Sequence, residues 1–90
     1  MYTYELRKSV EKKFFRLRNR NPKQLEIIRK KIEELLQNPS HYKNLRHPLQ
    51  HLKRVHIDKS FVLTFSINEA TKTVIIEGYD HHDKIYLYLL

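Results

Sequence analysis

The sequence contains no cysteine and no tryptophan, and glycine occurs only once, at Gly78. The lack of cysteine excludes disulfides, thiolate catalysis and thiolate metal sites within these 90 residues. One glycine cannot build a glycine-rich phosphate loop of the Walker or dinucleotide-binding kind. No stretch approaches the roughly 20 apolar residues of a transmembrane helix, and residues 1–5 lack the charged-then-apolar layout of a signal peptide. These absences favour a cytoplasmic protein that does not act at a membrane.

Basic residues, in contrast, are abundant and unevenly placed. The formal net charge is +8, and residues 1–55 hold 15 of the 18 Lys and Arg against five acidic residues. On a lone amphipathic helix such residues usually only increase solubility. Here they dominate two predicted helices and the loop that follows them, and this pattern favours a polyanionic partner such as nucleic acid.

Apolar periodicity predicts one α+β domain over residues 1–90, with the element order β-α-α-β-β-β. Ser9 is a candidate N-cap for the first helix, and Asn21-Pro22 is a strong start signal for the second. We expect the helices to form an antiparallel hairpin on one face of a small, mainly antiparallel sheet. The predicted elements are a strand over Tyr2–Leu6, a helix after Ser9, a helix from Pro22 to about Gln37, strands over 53–58, 61–67 and 73–79, and a possible edge strand over Ile85–Leu90.

The segment Arg54-Val55-His56-Ile57-Asp58 alternates strictly between polar and apolar residues. This period predicts a half-buried strand, with Val55 and Ile57 in the core and Arg54, His56 and Asp58 together on the opposite face. We expect that face to be open, because the helices cover the other one. A merely solvated strand face is the alternative interpretation.

A second polar cluster, at residues 80–86, contains His81 and His82. Metal-free RNA cleavage requires a cation to hold the phosphate, and it requires imidazoles to transfer protons. Adjacent residues of an extended chain point in opposite directions, so at most one of these histidines should join a given site. The spacing of His81-His82-Asp83 matches no known closed zinc site, and the sequence predicts neither a metal nor a cofactor. His41 and His51 are expected on the surface.

Three short motifs resemble those of a known family: His47-Pro48-Leu49, Lys53-Arg54-Val55-His56-Ile57 and His82-Asp83-Lys84-Ile85-Tyr86. With the element order and the basic helical hairpin, they resemble the RelE/ParE superfamily, the toxic half of type II toxin–antitoxin pairs, and most of all its YafQ-like mRNA interferases. The resemblance covers nearly the whole chain. It implies metal-independent cleavage of mRNA in the ribosomal A site, through attack of a 2′-hydroxyl on the adjacent phosphorus.

The resemblance also implies residue roles. His47, His56 and His82 match the catalytic histidines of that branch, and Tyr86 matches an aromatic residue that could stack on a base or donate a hydrogen bond. Ser60 stands where the branch has a turn aspartate, which leaves Asp58 as a possible turn carboxylate. For this chemistry we expect His82 as general acid, His56 or His47 as base and Arg54 as the clamp on the transition state, with Arg46 and Lys53 as weaker phosphate contacts.

Two other functions stay open at this point. A ParE-like toxin would bind DNA gyrase without catalysis, although that branch lacks the set of histidines seen here. A degenerate member would bind only its antitoxin or RNA, and Ser60 keeps this possible. The family resemblance implies a cognate antitoxin, and the basic half of the chain suits an acidic one as well as ribosomal RNA and mRNA.

Overall fold

A computed structural model of the chain describes residues 1–85. It contains two α-helices, a short 3₁₀-helix over Pro39–His41 and one four-stranded sheet. Two predictions lie outside this range. They are the role of Tyr86 and, apart from Ile85, the edge strand over Ile85–Leu90. The main elements are β1 (Thr3–Leu6), α1 (Lys8–Arg20), α2 (Pro22–Gln37), β2 (Lys53–Ile57), β3 (Phe61–Asn68) and β4 (Thr73–His81).

The strand order in the sheet is β1-β4-β3-β2. β1 pairs in parallel with β4, whereas the β4–β3 and β3–β2 pairs are antiparallel. This confirms the predicted α+β fold with a mainly antiparallel sheet. Among the described residues, no helix is both long and apolar enough to cross a membrane.

The start of α1 differs from the prediction. The helix begins at Lys8, so Ser9 lies inside its first turn, and the capping position belongs to Arg7, whose side chain makes no capping bond. The Arg7 backbone N–H instead donates to the carbonyl of Ile76 at 3.1 Å. The helix therefore begins directly after the last hydrogen bond between this segment and β4.

The start of α2 confirms the signal at Asn21-Pro22. The Asn21 side chain accepts a hydrogen bond from the Gln24 backbone N–H at 3.2 Å, and Pro22 occupies the first helical position. The helices bury their apolar stripes against one face of the sheet. That core contains Val10, Phe14, Ile28, Ile32, Leu35 and Leu36 from the helices and Val55, Ile57, Leu63, Phe65, Val74, Ile76 and Tyr79 from the strands.

β4 carries a bulge in its middle. Phe65 pairs with Ile76 and Thr64 pairs with Gly78, so Glu77 is an extra residue between the two registers. The Glu77 carboxylate accepts hydrogen bonds from Ser66 Oγ at 2.6 Å and from the Arg7 guanidinium at 2.8 Å. These bonds hold the bulged residue against β3 and against the start of α1.

Candidate active site

The predicted alternation is confirmed from Arg54 to Ile57, four of the five residues of the predicted segment. Val55 and Ile57 belong to the core beneath the helices, whereas Arg54 and His56 are exposed on the opposite face. Their Cα atoms are about 7 Å apart, since they are two residues apart on one strand. Across the sheet, Arg54 is in register with Thr64 and then Gly78, and His56 with Val62 and then Asp80.

Asp58 does not continue this row. β2 ends at Ile57, and Asp58 begins the turn to β3 with a φ of 57°. A left-handed residue redirects the chain, and aspartate tolerates this conformation better than most residues. The prediction that Asp58 projects beside Arg54 and His56 from one extended strand was therefore wrong.

The face that carries Arg54 is not open along its whole width, which corrects a further expectation. Val62 and Thr64 on this face are almost completely buried, as is Ile85. A Cβ atom added at Gly78 would lie 3.1 Å from Ile85 Cδ1, so Ile85 packs directly over the glycine. Residues 82–85 thus fold back over the middle strands, whereas Arg54 and His56 on β2 are exposed.

The loop before β2 forms a cavity of about 520 Å³ beside Arg54. Backbone hydrogen bonds close the loop, from Leu45 N–H to Leu52 O at 2.9 Å and from Leu49 N–H to Arg46 O at 2.8 Å. The cavity is lined by Lys43, Asn44, Leu45, Arg46, His47, Pro48, Leu49 and Arg54. The fold therefore brings His47 and Arg46 to Arg54, as the prediction of a common site requires.

The charged residues that the structure describes around this cavity are basic. Lys43, Arg46 and Arg54 supply three cations, and no carboxylate is among the described lining residues. Guanidinium groups match the planar geometry of phosphate oxygens and bind them through paired hydrogen bonds. The cavity can therefore hold a phosphate group next to the imidazole of His47.

His82 is positioned by the turn between β2 and β3. Its backbone N–H donates to the carbonyl of Ser60 at 2.8 Å. Its ring Nδ1 lies 3.0 Å from the same oxygen, and a carbonyl can only accept, so Nδ1 carries the proton of that bond. The ring Nε2 lies 3.0 Å from Asp83 Oδ1. Ser60 thus orients His82 through its backbone, which an aspartate at this position would do equally well.

His81 and His82 do not point in opposite directions. β4 ends at His81 and the chain turns at once, so the two rings stack with their centroids 4.5 Å apart. The prediction that only one of them could join a given site assumed that the strand continued. It was wrong because the chain leaves the extended conformation between them.

Lys53 faces away from the cavity. Its ammonium donates to the carbonyl of Tyr42 and to Asn44 Oδ1, both at 2.8 Å. Lys53 is also in register with Phe65 of the helix-side core, opposite in direction to Arg54. These contacts secure the start of the loop, and the predicted phosphate contact would have to compete with them.

The cavity and His82 lie towards opposite ends of β2. Arg54 is near the start of the strand, and the three residue-to-residue steps from Arg54 to Ile57 span about 10 Å. Ser60 and the attached His82 lie beyond the Ile57 end. His56 sits between them, so the candidate residues form a row rather than one compact cluster.

Sequence reasoning missed three contributors to this row. Lys43 lines the cavity, the Ser60 carbonyl orients His82, and the Asp83 carboxylate lies against the imidazoles. The basic loop composition was a signal for Lys43. Nothing local indicates the backbone role of Ser60, because its contact joins residues 22 positions apart.

Solved structures of known toxins share this fold. The RelBE2 toxin–antitoxin complex from Mycobacterium tuberculosis aligns with a TM-score of 0.75 at 22% identity, covering 90% of this chain and 98% of the matched chain. The YoeB–YefM complex from Staphylococcus aureus gives 0.77 at 11% identity, covering 91% and 98%. Isolated RelE from E. coli gives 0.73 at 16% identity, covering 99% and 93%. The architecture is therefore that of the RelE-like toxins.

Sequence relatives lead to the family. A protein of Methanocaldococcus jannaschii, provisionally named toxin RelE4, is 57% identical over 86 residues that cover 96% of this chain and 92% of the relative. An uncharacterised protein of Methanosarcina mazei is also 57% identical over 86 residues, covering 96% and 100%. No protein-family model matches the sequence. On the relatives and the shared fold, the chain belongs to the RelE/ParE toxin superfamily.

Proposed function

We propose that the chain is the toxin of a toxin–antitoxin pair and that it acts in the cytoplasm as a ribosome-dependent, metal-independent mRNA endoribonuclease of the YafQ-like kind. The observation that carries this proposal is the loop cavity, which groups Arg46, His47 and Arg54. His56 follows on the same face of β2. A cationic cradle beside imidazoles on one exposed strand suits a phosphodiester substrate.

The proposed chemistry assigns a role to each group. A phosphate of the mRNA lies against the guanidinium of Arg54, which stabilises the charge that develops on the phosphorane. His56 or His47 removes the proton from the 2′-hydroxyl, and the oxygen attacks the adjacent phosphorus. The bond to the 5′-oxygen breaks, and His82 protonates that oxygen. The products are a cyclic phosphate and a free 5′-hydroxyl.

The geometry of His82 supports its proposed role as the acid. Nδ1 is occupied by the Ser60 carbonyl, so the proton that can be transferred is the one on Nε2. Asp83 Oδ1 lies 3.0 Å from Nε2, within reach of a hydrogen bond donated by the protonated nitrogen. Because the candidate groups form a row along β2, we propose that the RNA strand lies along that strand and contacts both ends of it.

The proposed partners follow from charge and from the relatives. Two of the matched structures are complexes of a toxin with an antitoxin. The basic surplus in residues 1–55 suits an acidic antitoxin and, when the toxin is released, ribosomal RNA and mRNA. Phosphate neutralisation makes binding to RNA fall steeply with rising salt concentration.

Primer extension on a reporter mRNA tests the proposal. Chelator-treated protein is added to a cell-free translation reaction and, separately, to the same mRNA without ribosomes. We expect cuts at A-site codons only with ribosomes. His82→Ala should lower the cleavage rate by about 10²–10⁴-fold, the usual contribution of general acid–base catalysis. Arg54→Lys should retain more activity than Arg54→Ala, since it keeps the charge and loses the paired hydrogen bonds.

His41→Ala is the matched control, because His41 is exposed on the 3₁₀-helix and does not line the cavity. Cleavage by His82→Ala at the native rate would refute the assignment of the acid. Growth arrest without any cleavage would favour a gyrase-binding toxin instead, and inhibition of DNA supercoiling would then be the assay.

A further inference from the structure

The end of β4 gathers three side chains that can donate electron pairs to a metal. His81, His82 and Asp83 each offer one ligand atom, and these atoms all lie within 4.8 Å of one another. The expectation from sequence was that adjacent histidines of an extended strand would diverge. The turn after His81 removes the basis of that expectation.

The hydrogen bonds of this cluster indicate which ring nitrogens carry a lone pair. The Ser60 carbonyl takes the proton on His82 Nδ1, so in the neutral ring Nε2 carries a lone pair. The Asp83 backbone N–H donates to the lone pair of His81 Nδ1 at 3.2 Å, so a metal bound at this nitrogen would replace that hydrogen bond. Metal-bound histidines typically donate their second N–H to a carbonyl or carboxylate, as His82 does to Ser60, and this bond fixes the ring orientation.

Two of the separations between donor atoms suit a zinc-type ion. Asp83 Oδ1 lies 3.0 Å from His82 Nε2, and Asp83 Oδ2 lies 3.5 Å from His81 Nδ1. Ligands at the usual zinc distances of about 2.0–2.2 Å are separated from each other by about 3.0–3.5 Å in octahedral or tetrahedral sites.

The rings are held in place before any metal arrives. His81 packs edge-on against Phe61 with centroids 5.7 Å apart, and its other side stacks on His82. The ring of His82 is tied to Ser60. Since little side-chain freedom remains to be lost, binding requires mainly the displacement of water and of the proton on Nε2.

We propose that His81, His82 and Asp83 form a site for a divalent transition metal ion of the zinc type, and that the bound ion blocks the proton-donor function of His82. Two imidazole ligands beside one carboxylate suit Zn²⁺, Ni²⁺ and Cu²⁺ better than Mg²⁺, because Mg²⁺ prefers oxygen ligands alone. The second half of the proposal rests on the proposed function, because the metal would occupy the Nε2 atom that donates the proton. The site would thus make toxin activity sensitive to free zinc.

Calorimetric titration of the chelator-treated full chain with ZnSO₄ tests the site without reference to activity. We expect one Zn²⁺ per chain, no saturable binding of Mg²⁺, and shifts of two histidine ring signals in the NMR spectrum. His81→Ala and Asp83→Asn should each lower the affinity at least tenfold, whereas His41→Ala should leave it unchanged. Equal affinity in all three variants, or no saturation by Zn²⁺, would overturn the site.

Cleavage assays then test the regulatory half. Zn²⁺ should inhibit the native protein, and His81→Ala should keep its cleavage activity while requiring at least tenfold more Zn²⁺ for inhibition. Binding without inhibition would refute the block on His82 and leave the metal site standing. Absence of any cleavage would instead refute the proposed function, and the calorimetric and NMR results would still decide the site.

Discussion

Replacing Gly78 by alanine should disturb the fold at the point where the chain after β4 packs on the sheet. The added Cβ would lie 2.9 Å from Thr64 Oγ1 and 3.1 Å from Ile85 Cδ1, both shorter than ordinary van der Waals contact. Thr64 is fully buried and has little room to move, whereas the Cδ1 atom is the flexible end of its side chain. Gly78 has no positive φ, so the strain arises from these contacts and not from the backbone.

The size of the effect follows from two opposing contributions. Overpacking a buried site destabilises by about 1–3 kcal/mol. Alanine also restricts the unfolded chain more than glycine does, which returns about 0.4–1 kcal/mol. We therefore expect Gly78→Ala to lower the free energy of unfolding by about 1–2 kcal/mol, measured by urea denaturation followed by circular dichroism.

Combining Gly78→Ala with either of two further substitutions identifies which neighbouring side chain causes the loss of stability. Ile85→Val removes Cδ1, and Thr64→Ala removes Oγ1, so each deletes one of the two close atoms. If the contacts cause the loss, each double variant should be more stable than the sum of the single effects predicts. Gly78→Ala with native or increased stability, or strictly additive double variants, would refute this reasoning.

Two further predictions concern polar groups in and beside the core. Tyr79→Phe should lower the free energy of unfolding by about 1–3 kcal/mol, because it leaves the buried Gln24 Nε2 without the acceptor that it contacts at 3.1 Å. Burial raises the pKa of Tyr79 above its ordinary value. An ultraviolet titration of the variant should therefore lose one late-ionising tyrosine. Burial alone would raise the pKa of Glu77, but hydrogen bonds from Arg7 and Ser66 outweigh it and the pKa lies below the ordinary 4.5. The contribution of Glu77 to the free energy of unfolding should therefore be complete above pH 4.5 and be lost as the pH falls through the lower native pKa. Denaturation at several pH values should show that the stability of Glu77→Gln falls less steeply at acid pH than that of the native protein. An equally steep fall would contradict the assignment.

Much of the architecture could be predicted because its signals are local. Asn21 and Pro22 place the start of α2 through one side-chain bond and one fixed φ. The alternation of Val55 and Ile57 places β2 and its buried side, since a one-residue shift would expose both. The grouping of His47 with Arg54 also follows, because a short closed loop joins them.

What the sequence could not predict depends on contacts between distant residues. The parallel pairing of β1 with β4 joins Leu6 to Ile76 and fixes the start of α1, so a local capping argument at Ser9 failed. The covering of the second face depends on Ile85, whose place over Gly78 is fixed by a turn. Neither feature leaves a periodic trace in the sequence.

The position of His82 shows how such contacts determine the candidate site. Strand pairing has a period of two, so a shift by one residue would exchange the faces of His81 and its neighbours. The bulge at Glu77 sets the register of the second half of β4, in which Phe61 pairs with His81 and the next residue reaches Ser60. Arg7 and Ser66 hold that bulged glutamate in place. The register of this bulge, rather than any local signal, therefore determines which histidine reaches Ser60.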